Sequence, residues 1–162
     1  MTLFSRLLSI SSSAALLGLS ACQNVDPAIS GCQTLLTTIQ RTVNEAKTLV
    51  QDEPVDGVSQ IFYAERWLQA ADALTIGAEA IAQLRLRDAE LRTYQAQISE
   101  IYQQQAEATY AMVKARQDKD LEAAQAAQTL SQAAGSQEES TGQALDQYCQ
   151  SKYQARHGSG SP

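Results

Sequence analysis

The feature that most constrains the fold is a long stretch of helix-forming sequence without helix breakers. Between Val58 and Ala134 the chain contains no proline and one glycine, Gly77, while alanine, glutamine, leucine and glutamate dominate. These four residue types have high intrinsic helix propensity. No run of alternating apolar and polar residues rich in β-branched side chains indicates a strand. The sequence therefore predicts an all-α protein.

Apolar residues recur at spacings of three and four in four segments, which is the pattern of amphipathic helices. The first helix is predicted from Ile29 to Gln51, the second from about Val58 to Leu86, and the third from about Asp88 to Arg116. The fourth begins near Leu121 and resumes around Leu145 after a pause at "GSQEESTG".

The apolar seams of these helices predict which side chains meet in the core, because evenly spaced apolar positions pack against neighbouring helices. In the first helix the seam consists of Cys32, Leu36, Ile39, Val43, Ala46 and Val50. In the third it consists of Leu91, Tyr94, Ile98, Ile101, Ala108 and Met112, with Gln105 interrupting it. The seam of the second helix is rich in alanine, whose small side chain buries little apolar area.

Two charged segments are predicted to be turns between helices. "QDEPVDG" joins the first helix to the second and combines proline and glycine with three carboxylates, Asp52, Glu53 and Asp56. These carboxylates lack the ligand spacing of a calcium loop, so we interpret the segment as a turn that caps a helix. "RLRD", residues 85–88, is the candidate turn between the second helix and the third.

The amino-terminal segment "MTLFSRLLSISSSAALLGLSAC" has the plan of an export signal. One basic residue, Arg6, is followed by an apolar stretch from Leu7 to Leu19. This stretch is shorter than the ~20 apolar residues that a helix needs to cross the hydrocarbon core of a bilayer. A permanent transmembrane span is therefore not expected, and the alternatives are an ordinary secretory signal or a lipoprotein signal.

The tetrad Leu19-Ser20-Ala21-Cys22 resembles the lipobox of bacterial lipoproteins. The resemblance covers residues 1–22 and implies that the Cys22 thiol carries a diacylglyceryl group and that cleavage makes Cys22 the first residue. It implies two or three acyl chains, palmitate among them, and each buried methylene contributes about 0.8 kcal/mol to anchoring. Gln23 is not the aspartate that retains such proteins on the inner membrane, which favours the outer membrane in a Gram-negative cell, with the chain facing the periplasm or the exterior.

This interpretation divides the chain into four parts. We expect a signal peptide at 1–21, a lipidated tether at 22–28, one helical bundle at 29–154 and a disordered tail at 155–162. Removal of the signal takes away one of the 12 basic side chains and none of the 18 acidic ones, so the formal net charge changes from −6 to −7. A negative surface repels phosphate groups, which argues against nucleic-acid binding and against adsorption to anionic lipid.

Cys32 and Cys149 are the two cysteines that remain once Cys22 is lipidated. An even number of cysteines in an exported chain predicts a disulfide. In an up-down-up-down bundle of four helices, the start of the first helix and the end of the last lie at the same end. Two alternatives for the thiols stay open, namely free thiols and a metal site with His157. The alternative architecture is a long two-helix hairpin from Val58 to Ala134 with flanking helices.

The sequence contains no recognisable catalytic constellation. P-loop, G-x-S-x-G and H-E-x-x-H motifs are absent, and the single histidine is near the end of the tail. Glu65, Asp72 and Glu79 recur every seven residues and form an acidic stripe, which we interpret as a solvated helix face. We therefore predict no catalytic residues, no metal, no cofactor and no enzymatic activity.

Four large apolar residues of the second helix are the candidate partner surface. "IFYAERW" contains Phe62, Tyr63 and Trp67, and Ile76 follows among the acidic residues. By helical angle Tyr63 and Trp67 face the core, whereas Phe62 lies off that face. Packing in the core or at the end of the bundle and docking of a partner both remain open for this group.

The function expected from these features is that of a membrane-anchored, non-enzymatic helical module that binds or supports another protein of the bacterial envelope. A small-ligand or cofactor carrier is the first alternative, with Met112 as the one obvious inward-facing ligand. An inhibitor or immunity lipoprotein is the second, since it fits the size and charge of the chain.

Overall fold

The computed structural model describes residues 26–51 and 60–158, together with the side chains of residues 64–156 in the second segment. These residues form four helices: α1 (Pro27–Val50), α2 (Gln60–Ala82), α3 (Ala89–Asp118) and α4 (Leu121–Gly158). Consecutive helices pack antiparallel, and a disulfide joins α1 to α4. The predicted four-helix up-down bundle with one disulfide is confirmed, and the two-helix hairpin is excluded.

Local capping groups account for where the helices begin. Pro27 occupies the first turn of α1, where its missing N–H costs nothing, and the Asp26 carboxylate accepts a hydrogen bond from the Ala28 N–H at 2.8 Å. α1 therefore begins two residues before the predicted Ile29. At α3 the Asp88 carboxylate accepts from the Leu91 N–H at 2.9 Å, which confirms "RLRD" as the turn before this helix.

The end of α3 is set by backbone geometry rather than by glycine. Lys119 adopts a left-handed conformation with φ of 57°, and its N–H donates to the carbonyls of Ala115 and Arg116. The next residue, Asp120, accepts from the Ala123 N–H at 3.0 Å and so caps α4. The two helices are thus joined by a two-residue turn, close to the predicted boundary.

The predicted pause in the last helix is wrong, because α4 runs without interruption through "GSQEESTG" to Gly158. Each glycine in a helix costs roughly 1 kcal/mol relative to alanine, but Ala134 and Leu145 are buried on either side of the segment. Packing against α3 therefore overrides local propensity. Residues 155–158, predicted to be part of a disordered tail, belong to α4, and residues 159–162 lie outside the described residues.

The buried seam of α1 is displaced from the predicted one. Leu35 is fully buried and Leu36 is 36% exposed, so the face turned to the core passes through Leu35, Thr38, Thr42 and Ala46. Two polar threonines replace apolar positions on this face because their hydroxyls are satisfied within the helix. The Thr42 hydroxyl donates to the Thr38 carbonyl at 3.0 Å, and the Thr38 hydroxyl donates to that of Thr34 at 2.9 Å.

The main core lies near the end of the bundle that contains the disulfide. Its buried members are Cys32, Leu35, Ala78, Ile81, Leu86, Leu91, Ile98, Ile101, Tyr102, Leu145 and Cys149. All four helices contribute side chains to this cluster. Towards the opposite end, α2 contributes mainly Ala70 and Ala71 to the buried surface, so less apolar area is removed from water there.

The closest approach of α1 to α2 occurs where Thr42 faces Gly77. A Cβ atom added at Gly77 would overlap the Thr42 side chain, because it would lie 2.7 Å from the Thr42 Cβ atom. Gly142, in contrast, has no atom within 4 Å of an added Cβ. The single glycine of the long breaker-free stretch is therefore required by packing between helices.

We expect Gly77→Ala to destabilise the protein by about 1–3 kcal/mol, as overpacking of a tight core does, despite its better helix propensity. The matched control Gly142→Ala should stabilise it by about 0.5–1 kcal/mol. Urea denaturation followed by circular dichroism measures both changes. Equal effects of the two substitutions would contradict the close contact between Thr42 and Gly77.

Candidate functional site

The disulfide defines one end of the bundle. The Cα atoms of Cys32 and Cys149 lie 5.8 Å apart, with 117 residues between them in sequence, and both side chains are buried. The prediction of a bond is confirmed, and the alternatives of free thiols and a metal site with His157 are excluded for these two cysteines. We call residues 26–32, 83–92 and 149–156, which surround the bond, the disulfide end.

The α2–α3 turn at the disulfide end is held by two side chains of α3. The Gln95 amide donates to the carbonyls of Ile81, Ala82 and Leu84 at 2.7, 3.0 and 2.9 Å. One side chain thus bonds to the last two carbonyls of α2 and to one carbonyl of the turn, although the Ile81 carbonyl also accepts from the Leu84 N–H at 3.1 Å. The Arg92 guanidinium donates to the Arg87 carbonyl at 2.9 Å and so covers the other side of the turn.

Sequence reasoning missed Gln95 because glutamine between apolar positions normally indicates a helix flank. Ser99 was missed for the same reason, although its hydroxyl is buried and donates to the Ala78 carbonyl at 2.9 Å. A usable signal was present: Gln95 and Ser99 stand four residues apart, so they lie on the same flank of the Ile98 seam, and both donate to carbonyls of α2. Polar residues at such positions need partners when they are buried.

Tyr148 forms the centre of an interhelical contact between α3 and α4 at the same end. Its ring lies 5.9 Å from that of Tyr94, and the Lys152 ammonium lies 4.8 Å from its centroid. Burial raises the pKa of Tyr148, and hydrogen bonding to the Asp88 carboxylate raises it further. The pKa of Asp88 is lowered, chiefly by the hydrogen bond from the Leu91 N–H.

The end of the bundle opposite the disulfide exposes large apolar residues. We call residues 46–50, 64–71 and 112–124 the far end. Trp67 on α2 is 38% exposed, and Leu121 at the start of α4 is 72% exposed. Trp67 and Leu121 lie on helices that do not contact each other among the described residues, so they do not form one patch. Tryptophan is enriched at protein interfaces, which makes the exposed part of Trp67 a candidate contact for another molecule.

Trp67 is partly buried, and its helical angle is the inward one. The described part of α1 does not reach the level of this side chain. Because Thr42 faces Gly77, the antiparallel register places Val50, the last residue of α1, opposite Gln69, and Trp67 lies beyond that level. The side chains of Phe62 and Tyr63 lie outside the described residues, as do Asp52, Glu53 and Asp56.

Ile76 belongs to a different surface from Trp67. It is 64% exposed, as its position among acidic residues suggested. The two residues are nine positions apart, which corresponds to half a turn in helical angle at 3.6 residues per turn. The four residues of the candidate partner surface therefore do not form one continuous patch.

The acidic stripe lies on an exposed face of α2. Glu65, Asp72 and Glu79 are all exposed, and the Tyr110 hydroxyl of α3 donates a hydrogen bond to Asp72. This bond raises the pKa of Tyr110. The stripe is therefore a solvated face, in which one carboxylate ties α2 to α3.

Two polar residues of α3 shape its contact with α4. Gln105 does not interrupt the seam, since its amide oxygen accepts from the Ser131 hydroxyl at 3.1 Å. Met112, proposed as an inward-facing ligand, is half-buried.

Tyr102 is almost fully buried, and its hydroxyl has no hydrogen-bond partner among the described residues. Burial and the charge of Glu138 raise the pKa of Tyr102, so its phenol stays neutral.

An open cleft of about 530 Å³ runs along the contact between α2 and α3. Its polar lining includes Gln95 and Ser99, whose donors are already occupied by backbone carbonyls. Within residues 26–51 and 60–158 no group of three His, Cys, Asp or Glu side chains is arranged to hold a metal ion. In the same residues no helix has the length and apolarity that crossing a membrane requires.

Comparison of the chain with protein-family models, with curated protein sequences and with solved structures gave no match. Its functional interpretation therefore depends on its own residues.

We expect Gln95→Ala to lower the free energy of unfolding by about 1–3 kcal/mol, because it leaves partly buried carbonyls without donors. The control Gln97→Ala alters an exposed residue of the same helix and should change stability by less than about 0.5 kcal/mol. Thermal and urea denaturation measure the two effects. If the two variants were equally stable, Gln95 would not hold the α2–α3 turn.

Proposed function

We propose that this protein is a lipid-anchored, non-enzymatic helical module of the bacterial cell envelope and that it binds another envelope protein. The observation that carries the proposal is the lipobox-like tetrad ending at Cys22, four residues before Asp26, the cap of α1. Two or more acyl chains anchor a protein stably. The bond between Cys32 and Cys149 leaves Cys22 as the one cysteine of the chain outside a disulfide.

The bundle supports this proposal by separating an anchored end from an exposed end. α1 begins next to the tether and is 24 residues long, which corresponds to about 36 Å. The far end, with Trp67 and Leu121, is therefore held away from the membrane by roughly the length of the bundle. Tryptophan is enriched among residues that dominate binding energy at interfaces, so we assign the partner surface to the far end.

The anchor is tested by Cys22→Ser. We expect this variant to leave the membrane fraction or to accumulate as an unprocessed precursor, because the thiol that receives the lipid is gone. Mass spectrometry of the wild-type protein should show an acylated Cys22 at the amino terminus. A serine variant that is processed and still sediments with membranes would contradict the lipoprotein assignment.

The partner surface is tested with a photo-crosslinking amino acid at Trp67, and with the same group at Gln97 as the control. Gln97 is exposed but lies on the half of α3 nearer the disulfide. We expect a reproducible covalent adduct with one envelope protein from Trp67 and none from Gln97. Adducts from Ile76 with none from Trp67 would move the surface to the opposite face of α2.

A further inference from the structure

The fold places a cluster of arginines at the end of the bundle where the tether begins. Arg85 and Arg87 are exposed in the α2–α3 turn, and Arg156 is exposed near the end of α4. Within the described part of the chain none of the three forms an ion pair. Residues that are far apart in sequence thus bring three exposed cations to the same end of an acidic protein.

Three contacts bring these arginines next to the start of α1. A Cβ added at Gly31 would lie 2.6 Å from Leu91 Cδ1 and 3.7 Å from Leu86 Cδ2, so α1 lies directly against the α2–α3 turn. The disulfide aligns Cys32 with Cys149. From these cysteines Pro27 lies about 7.5 Å and Arg156 about 10.5 Å towards the same end, at 1.5 Å per residue. Arg156 therefore extends about 3 Å beyond Pro27, the first residue of α1.

The charge of this end differs in sign from that of the remaining chain. The disulfide end carries five cations, which are Arg85, Arg87, Arg92, Lys152 and Arg156, and three carboxylates, which are Asp26, Asp88 and Glu90. The rest of the chain after residue 21 carries six cations and fifteen carboxylates. Two of the three carboxylates are used within the fold, since Asp26 and Asp88 cap helices.

We infer that the disulfide end binds the anionic phospholipid headgroups of the leaflet that holds the acyl chains on Cys22. The inference rests on the proposed lipid anchor. Three residues separate Cys22 from Asp26, and an extended chain spans at most about 3.6 Å per residue, so the end cannot move far from the headgroups. Basic residues that lie close to an anionic lipid surface are attracted to it.

The consequence is a fixed orientation of the bundle. Anionic headgroups attract the disulfide end and repel the more acidic remainder of the bundle. The long axes of the helices therefore point away from the membrane surface. In this orientation Trp67 and Leu121 point away from the bilayer. The inference departs from the expectation, drawn from the net charge alone, that basic residues take no part in holding the protein at the membrane.

The test uses the chain from Cys22 to Pro162 with a maleimide phospholipid attached to the Cys22 thiol, inserted in nanodiscs that contain a headgroup spin label. In discs of equal parts phosphatidylcholine and phosphatidylglycerol, we expect strong broadening of the amide signals of residues 26–32, 85–92 and 149–156. Signals of residues 64–71 and 115–124 should keep their width. In discs of phosphatidylcholine alone, the difference in signal broadening between the disulfide end and the far end should become at least several-fold smaller.

Two charge variants decide whether the arginines cause this orientation. Replacement of Arg85, Arg87 and Arg156 with glutamine should abolish the difference between the two lipid mixtures. The control variant replaces Arg41, Lys47 and Arg116 with glutamine and so removes the same number of charges. These residues are exposed and outside the disulfide end, so this variant should preserve the difference between the two lipid mixtures. Identical broadening in the wild type and the arginine variant would overturn the inference.

Chemical lipidation separates this inference from the proposed function. If cells do not acylate Cys22, the lipoprotein assignment fails while the orientation of the chemically anchored chain still reports on the arginines. If cells acylate Cys22 but broadening is independent of lipid charge, the anchor stands and the headgroup-binding surface is rejected. Loss of the effect in concentrated salt is also expected, because salt screens exposed charges.

Discussion

The bond between Cys32 and Cys149 is the constraint on which the arrangement of the four helices depends. α1 packs mainly on α2, α2 on α3 and α3 on α4, while α1 meets α4 over a small area that includes the bond. Closing a loop of more than 100 residues stabilises a protein by about 4–5 kcal/mol in the chain-entropy model. α2 contributes many alanines and therefore little apolar area, so this covalent closure is a large part of what holds α1 in place.

The features that could be predicted from the sequence have local signals. Four helical periodicities, a charged turn at 85–88 and an even number of cysteines in a chain expected to be exported indicated the fold and its disulfide. The errors concern properties that depend on neighbouring helices. The continuity of α4 through Gly135 and Gly142 depends on packing against α3. The exposure of Trp67 depends on where α1 ends, and helical angle alone carries no information on that. The capping of α2 by Gln95 requires knowledge of a contact across a turn.

The same bond gives the molecule two distinct ends. By aligning the start of α1 with the end of α4, it places Arg156 at the same end of the bundle as the α2–α3 turn, which carries Arg85 and Arg87. The helix cap Asp26, four positions after the proposed lipid site at Cys22, lies at this end. The opposite end exposes Trp67 and Leu121. We propose that the first end contacts the membrane and the second a protein partner, and the intervening body is a spacer of about 36 Å. In this account the disulfide determines which end of the bundle faces the membrane, and it also stabilises the fold.

The most direct test of the central role of the bond is amide hydrogen exchange of the Cys32→Ala/Cys149→Ala variant, measured by mass spectrometry under native conditions and compared with the wild type. The account predicts that α1 and the last third of α4 lose protection first, because their mutual contact depends on the bond, while the buried part of the α2–α3 pair around Ile81 and Ile98 remains protected longer. Unchanged exchange in α1, or an equal acceleration in all four helices, would contradict it.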